Sequence, residues 1–343
     1  MVPALAVADA LRAEGAEVEF VGGTRAEAQL VPAAGFPLHE IAVAGLHRRN
    51  PLRALRALAL AAAAVPRARR LLRRLAPDAV MGGGGYVAGP VGVAALSLRI
   101  PLVLTEADSH LGVTNRLLAP FARRVCLAFA LPGRDGSRYR VTGRPVPAPA
   151  RDRDAARAHF GIAPEQTCVL VFGGSLGARS INLAAVEAFA GAPFHVLHVS
   201  GRRDHAELAA RTLTGTGELP REYDLREYLP LAEFAEALAA ADLVVARAGG
   251  SVFEIVANGV PAVLIPYPHA SADHQSANAR WMADAGAAVM IADGELSGAR
   301  LGCEVAALLA DRERLRAMAA AAAGLARPGA ARDVARELLE AAA

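Results

Sequence analysis

Two doubly wound α/β domains facing each other across a cleft are predicted by three observations. Short apolar runs alternate with helical patterns along all 343 residues, glycine-rich turns follow several of the runs, and a proline-rich segment divides the chain near its middle. Alternation of this kind argues for parallel sheets built from βαβ units. A helix over Pro3–Glu14 opens the chain, with proline near its start and Gly15 just past its end. Strands follow at Val18–Val21, Ala79–Met81, Leu102–Leu104 and Arg124–Ala128. After the linker Pro145-Val146-Pro147-Ala148-Pro149, the runs Val169–Phe172, His195–His198, Leu243–Ala246 and Ala262–Ile265 repeat the scheme. The expected division is therefore an N-terminal domain over 1–146 and a C-terminal domain over 147–325. The tail from Ala306 is almost wholly helical in composition, and 326–343 is expected to pack back on the N-terminal domain.

Composition removes several chemistries. The chain is 54% apolar but only 5% aromatic, and all 37 basic residues are arginine, so no lysine can form a Schiff base. Cys126, Cys168 and Cys303 are scattered, with no Cys-x-x-Cys spacing, which fits a reducing compartment and argues against a zinc site or a disulfide framework. A net charge of +3 gives no general case for nucleic acid. The uncharged run Ala79–Leu98 is long enough to cross a bilayer. It contains four successive glycines, Gly82 to Gly85, and Pro90, so it reads as strand, loop and helix in a soluble chain.

The segment Ala246–Asn278 has the layout of a sugar-nucleotide pocket. A short strand ends in Gly249-Gly250-Ser251, where a helix starts that carries Glu254 on its first turns. Unpaired amides at a helix start favour an anion, and a carboxylate one turn in can accept hydrogen bonds from a ribose diol. A second strand leads to Asp273-His274-Gln275 and Asn278, polar groups within reach of a sugar's hydroxyls. Any strand–glycine–helix unit shares part of this pattern. Upstream, Gly173-Gly174-Ser175-Leu176-Gly177 follows a strand and opens a helix, as a diphosphate loop does. Gly82 to Tyr86 forms a second such loop in the first domain, either a tight turn or a site for a phosphorylated acceptor.

Two further features carry chemistry. Thr105-Glu106-Ala107-Asp108-Ser109-His110 lies at the carboxyl end of a strand, where α/β domains place ligands. Glu106 or Asp108 could act as a general base or hold an acceptor hydroxyl, or could cap a helix. From Ile41 to Pro77 nine arginines (48, 49, 53, 56, 67, 69, 70, 73 and 74) flank the apolar run Ala57–Val65, with no acidic residue. A basic amphipathic element suits an anionic membrane surface, each arginine adding about 1 kcal/mol. The alternative is a solvated helix. Nucleic acid is not expected, because no aromatic platform is interleaved with the charge.

Gly173-Gly174-Ser175 with Gly177-Ala178, Gly85-Tyr86-Val87 with Gly89-Pro90, Arg247-Ala248-Gly249 with Glu254-Ile255, Asp273-His274-Gln275 with Asn278-Ala279, and the helix around Thr114-Asn115-Arg116 together resemble the MurG family. These are bacterial UDP-N-acetylglucosamine–lipid I N-acetylglucosaminyltransferases, inverting enzymes of glycosyltransferase family 28 with a GT-B fold. The resemblance implies that Glu254 holds the ribose diol of UDP-GlcNAc, and that Ser175 with the backbone at Gly174 takes the diphosphate, joined by Gly250 and Ser251. His274 and Gln275 would take the GlcNAc hydroxyls, and main-chain groups near Leu229 would read the uracil with Phe234 packed close by. Gly84, Gly85, Tyr86 and Asn115 would face lipid I, and Arg48–Arg74 would dock on the cytoplasmic leaflet. No cofactor and no obligatory metal are implied.

The chain departs from the family pattern in three places. Pro3-Ala4-Leu5-Ala6 is present, but the strand, glycine loop and histidine that precede it in the family are not, so the expectation is that the true start lies upstream of Met1. The family's His-Glu-Gln-Asn stands here as Thr105-Glu106-Ala107-Asp108, leaving Glu106 and Asp108 as the nameable bases. Its linker Asn-Pro-Val-Arg is Arg144-Pro145-Val146-Pro147. The expected reaction is inverting transfer of GlcNAc to the muramyl 4-hydroxyl of lipid I. A transferase acting on another membrane lipid, or a catalytically impaired UDP-sugar-binding homologue, are the alternatives.

Overall fold

Cys168-Val169-Leu170-Val171-Phe172 is apolar at every position, and every one of its residues is buried. A strand covered on both faces reads this way when helices cross above and below a parallel sheet. The computed structural model describes residues 1–43, 51–108, 110–174, 176–216, 222–270 and 273–343, with the side chains of 51–58 and 211–216 outside that description. Its chain forms two units, Met1–Pro147 with Arg327–Ala343, and Ala148–Ala326.

In the first unit α1 (Val2–Ala13) precedes β1 (Phe20–Gly22), α2 (Ala26–Ala33), β2 (Leu38–Glu40), α3 (Pro51–Leu75) and β3 (Val80–Gly82). Then come α4 (Gly85–Ser97), β4 (Leu102–Glu106), α5 (Val113–Leu118), β5 (Arg124–Leu127) and β6 (Tyr139–Val141). All pairings are parallel, β1 with β2 as one sheet and β3-β4-β5-β6 as another. One face of the larger sheet packs on α3 and α4. Ala64, Ala68 and Leu72 of α3, spaced four apart, are buried in that core, and Arg69 donates to Ser97 Oγ on α4 at 2.7 Å. The opposite face, Val103 and Cys126, packs against Val7 of α1 and against Val334, Ala335 and Leu338 of the chain's last helix.

In the second unit α6 (Arg153–His159), β7 (Cys168–Phe172), α7 (Arg179–Phe189), β8 (His195–Val199), α8 (His205–Thr216) and β9 (Tyr223–Arg226) come first. They are followed by α9 (Leu231–Ala240), β10 (Leu243–Ala246), α10 (Val252–Ala257), β11 (Ala262–Leu264), α11 (His274–Asp284), β12 (Ala288–Met290), α12 (Gly298–Ala310) and α13 (Arg312–Leu325). The sheet order is β12-β11-β10-β7-β8-β9. The chain thus starts at β7 in the middle, winds outward to β9, then returns to β10 on the other side. The last helix, α14 (Ala330–Ala342), belongs to the first unit.

The run Ala79–Leu98 forms β3, a turn and α4 as expected, and among the described residues no helix is long and apolar enough to cross a membrane. The first expected strand lies two residues later than the apolar run suggested. Four strands, β2, β6, β9 and β12, were not expected; each sits at the rim of its sheet. Within the basic stretch, Pro51–Leu75 form one helix, α3. Arg48 and Arg49 lie outside the described residues, as do the side chains of Arg53 and Arg56, while Arg67, Arg70, Arg73 and Arg74 are exposed.

Leu338 joins α14 to the core of the first unit. Leu338→Ala should cost about 2–5 kcal/mol, the usual range for a leucine cut back to alanine in a core. Urea unfolding followed by circular dichroism will measure it.

Candidate active site

In an open parallel sheet, ligands bind beyond the carboxyl ends of the strands where the winding reverses. In the second unit that point lies between β7 and β10, which are neighbours in the sheet. The turns leaving these strands are the two glycine segments singled out in the sequence.

Glycine is required in the first turn by simple crowding. A Cβ on Gly173 would lie 2.3 Å from the Ala178 nitrogen, and one on Gly177 would lie 2.1 Å from the Ser200 carbonyl oxygen. Gly174 and Gly177 also hold φ of +93° and +81°. Gly201, after β8, approaches equally closely, since its Cβ would fall 2.1 Å from the Gly177 nitrogen. Ser175 lies outside the described residues.

Beneath this turn runs a buried polar chain. Asn182 of α7 donates from Nδ2 to the Ser200 carbonyl at 2.9 Å and to Asp204 at 3.0 Å. Its Oδ1 is 3.1 Å from His198 Nε2, and His198 Nδ1 is 2.7 Å from the Tyr223 hydroxyl. With the amide nitrogen donating elsewhere, Oδ1 must accept from Nε2–H, so Nδ1 accepts from tyrosine. Burial, with a smaller push from His205, lowers the His198 pKa to about 3.

After β10, Arg247 is only 12% exposed in its side chain. Nη1 donates to Asp293 at 2.6 Å and to the Ile265 and Pro266 carbonyls at 3.1 and 3.2 Å. Nη2 donates to Ser180 Oγ at 2.9 Å, and that hydroxyl donates on to Asp293 at 2.7 Å. The guanidinium therefore joins the exits of β10 and β11 to the second residue of α7. Arg247 stands in the Arg247-Ala248-Gly249 motif, which by itself implies no role for its side chain. Its position beside two glycines at a strand end was the available signal, but Asp293 lies 46 residues away.

Gly250 and Ser251 sit at the start of α10, where their carbonyls accept from the amides one turn further in. Phe253 donates to the Gly250 carbonyl at 3.3 Å, and Glu254 and Ile255 donate to that of Ser251 at 3.0 and 2.9 Å. The amides of Gly250 and Ser251 themselves donate to no group among the described residues. Glu254 lies in its first turn. Gln275 is oriented by the Tyr267 amide, which donates to its Oε1 at 3.0 Å, and a Cβ on Gly249 would be 3.8 Å from its Nε2. His274 is the first residue of α11, and Asn278 donates to the Ala248 carbonyl at 3.0 Å. Leu229 is buried just before α9, and Phe234 of α9 meets Phe172 edge-on at 5.0 Å between centroids. Arg202 lies 4.7 Å over the ring of Tyr228, an aromatic neighbour of Leu229 that the sequence reading passed over.

In the first unit Gly84 and Gly85 both hold positive φ, 75° and 76°, between β3 and α4. Tyr86 is tied to the turn after β1. Arg25 stacks over its ring at 5.3 Å, and burial and then Glu27 raise its pKa. Glu27 in turn accepts from the Gly23 amide at 2.9 Å. Glu106 is buried and both its oxygens are engaged. Oε1 accepts from the Ala107 and Asp108 amides at 3.0 and 3.3 Å, and Oε2 from the Gly112 amide and Asn115 Nδ2 at 2.8 and 3.0 Å. This carboxylate holds the turn after β4 in shape. Asp108 is half-buried on that turn, with no hydrogen bond to its carboxylate among the described residues. Asn115 also donates to the Thr105 carbonyl at 2.9 Å, while its buried Oδ1 has no partner among them.

Two family models match, the glycosyltransferase family 28 N-terminal domain over residues 1–127 and its C-terminal domain over 168–334. The chain belongs to glycosyltransferase family 28. It is 43% identical to the UDP-N-acetylglucosamine--N-acetylmuramyl-(pentapeptide) pyrophosphoryl-undecaprenol N-acetylglucosamine transferase of Moorella thermoacetica, over 98% of this chain and 95% of that one. The crystal structure of MurG from Acinetobacter baumannii matches with a TM-score of 0.75 and 31% identity, covering 98% and 95% of the two chains. The calicheamicin glycosyltransferase CalG4 matches with a TM-score of 0.66 over 98% of this chain and 94% of its own, at 19% identity, and shares the fold alone. The family 28 chain is thus a GT-B glycosyltransferase, as its motifs implied.

His198 provides a pH test of the turn beneath which it lies. The folded protein keeps it neutral down to about 3, whereas an exposed histidine protonates near 6.5. Its contribution to stability is complete above about pH 6.5 and is lost as pH falls from there toward 3, by up to about 1.4 kcal/mol per unit. Urea midpoints between pH 7 and pH 4 should fall less steeply for His198→Gln than for the wild type.

Proposed function

We propose that the protein transfers GlcNAc, with inversion, from UDP-GlcNAc to the 4-hydroxyl of the muramyl sugar of lipid I, forming lipid II. The observation that carries the reading is the relationship at 43% identity over nearly both full chains to a transferase whose name states donor and acceptor. In this reading the second unit takes the donor. Gly174 and Ser175, at the turn before α7, receive the diphosphate, where the helix dipole favours its charge. Glu254 takes the ribose diol, and Gln275 and His274 the GlcNAc hydroxyls. Backbone groups at Leu229 read the uracil, flanked by Phe234 and the Tyr228 ring. Gly250 and Ser251 let the backbone come close and offer their amides at the start of α10. Arg247 touches none of these groups in its own right; it positions the turns that do.

The first unit takes the acceptor, with Gly84, Gly85, Tyr86 and Asn115 toward the lipid-linked diphosphate. Asp108 removes the proton from the 4-hydroxyl as its oxygen bonds to C1 and the bond from C1 to the UDP oxygen breaks. The departing UDP carries away the electron pair, stabilised at the turn before α7. Glu106, saturated by four donors, keeps that turn in register instead of acting as the base. The exposed arginines of α3 support docking of this unit on the anionic cytoplasmic face of the membrane, where lipid I resides.

The direct experiment is transfer of radiolabelled GlcNAc from UDP-GlcNAc to a lipid I analogue; binding of UDP without any transfer would sink the reading. Asp108→Asn should lower kcat about 10²–10⁴-fold, the range for loss of a general base, with UDP affinity unchanged by calorimetry. Arg247→Met, which takes the ion partner from Asp293 and leaves it Ser180 alone, should raise the KM for UDP-GlcNAc about tenfold or more while kcat changes far less. Steady-state kinetics with varied donor will separate the two.

A further inference from the structure

Among the described residues, five arginines lie at the carboxyl ends of β8, β9 and β10 and at the start of α7: Arg179, Arg202, Arg203, Arg226 and Arg247. Four of them are neutralised by carboxylates of the same unit. Arg179 donates to both oxygens of Glu207, at 2.5 and 2.8 Å. Arg203 Nε donates to Asp204 at 3.2 Å, Arg226 Nε to Asp224 at 2.9 Å and Arg247 Nη1 to Asp293 at 2.6 Å. Arg202 is different. It is exposed, and no carboxylate or carbonyl among the described residues receives its guanidinium. It rests instead on the ring of Tyr228, 4.7 Å from the centroid.

The backbone fixes where Arg202 stands. Pairing between β8 and β9 runs on past the strands, with the Ser200 amide donating to the Arg226 carbonyl at 2.9 Å and the Gly201 amide to that of Glu227 at 3.0 Å. This brings Arg202 beside Tyr228, the residue before Leu229. On the other side, both neighbours of Arg202 touch the end of the glycine turn after β7. Gly201 packs on the Gly177 nitrogen, and Arg203 Nη2 donates to the Gly177 carbonyl at 3.4 Å. Arg202 therefore stands between the turn assigned to the diphosphate and the backbone assigned to the uracil.

A diphosphate at that turn brings more negative charge than a helix dipole offsets. The charge grows as the bond from C1 breaks, because the departing UDP keeps the electron pair. The chain has no lysine, and an arginine already paired with a carboxylate has no net charge to give. A guanidinium stacked on an aromatic face keeps the donors along its edge free, while the ring holds it in place.

We propose that Arg202 binds the diphosphate of UDP-GlcNAc and of the departing UDP, its guanidinium donating to the phosphate oxygens from its seat on Tyr228. This role rests on the placement of UDP-GlcNAc in the second unit proposed above, and adds a cation to it. Tyr228 is a positioning residue that acts through Arg202.

The test is calorimetric titration with UDP, and displacement titration with uridine, for the wild type, Arg202→Gln, Arg202→Lys, Tyr228→Leu and the double variant of Arg202→Gln with Tyr228→Leu. Loss of a charged hydrogen bond should weaken UDP about tenfold or more in Arg202→Gln. Uridine, which lacks the phosphates, should bind that variant as it binds the wild type. The affinity of Arg202→Gln for UDP should also fall less steeply with added salt. Arg202→Lys keeps the charge without the planar fork and should lie between the two. Tyr228→Leu should weaken UDP about threefold, and should add nothing in the Arg202→Gln background. Urea midpoints of the Arg202 variants should match the wild type, since the side chain is exposed and unpaired. If the wild type and Arg202→Gln bind UDP equally, the role of Arg202 is overturned while the placement of UDP-GlcNAc stands. If uridine weakens as much as UDP, Arg202 serves the base and the diphosphate role is overturned. If the wild type binds neither ligand, that placement and the role of Arg202 fall together. A selective loss of UDP in Arg202→Gln, with no transfer to a lipid I analogue by the wild type, upholds Arg202 and sinks the reaction.

Discussion

The second unit depends on a place where two backbones touch with no side chain between them. Gly177, after β7, and Gly201, after β8, approach so closely that a single methyl on either would collide with the other's main chain or with Ser200. This contact brings the turn before α7 down onto the sheet and fixes where that helix begins. Everything nearby is built to hold the contact. Asn182, one turn into α7, reaches the Ser200 carbonyl, and His198 and Tyr223 support Asn182 from below. Ser180, in the first turn of α7, is joined to Arg247 and Asp293, so the position of the helix start is passed on to the exits of β10 and β11.

Both units use the same device at their strand ends. Three buried asparagines, Asn115, Asn182 and Asn278, each lie in a helix and donate an amide hydrogen to a carbonyl at the end of a strand or just past it, those of Thr105, Ser200 and Ala248. A carbonyl that has left the ladder but not reached water needs a donor, and a short uncharged amide delivers one without a buried ion. The three differ in what their own oxygen does. In Asn182 it accepts from His198, which makes that site rigid. In Asn115 and Asn278 the buried oxygen has no partner among the described residues. An unmet acceptor is costly inside a protein, and both lie beside glycine turns assigned here to ligands.

The central strands were legible because their burial is complete. β7, β8, β10 and β11 are buried at every position; three of them are wholly apolar, and in β8 His195 and His198 are the polar exceptions. β2, β6, β9 and β12 were missed for the converse reason. Leu38-His39-Glu40 and Tyr139-Arg140-Val141 are rim strands, mostly half-buried or exposed, and polar residues there keep an edge from pairing with other chains. The glycine turns of the site could be located from spacing alone, because strand, small residues and helix follow in sequence. The partners of Arg247 and the four donors around Glu106 could not, since they depend on which turns the sheet order brings together.

The first unit is assembled from both ends of the chain, with α14 covering the sheet face formed by Val103 and Cys126 beside Val7 of α1. The second unit, by contrast, is one continuous stretch. On a ribosome, which delivers residues in order and lets domains fold as they emerge, the half begun first is therefore finished last. Its apolar face stays uncovered through the whole synthesis of the other half. During translation that face is open to chaperones or to misplaced neighbours, and release of the final helix is the event that seals it.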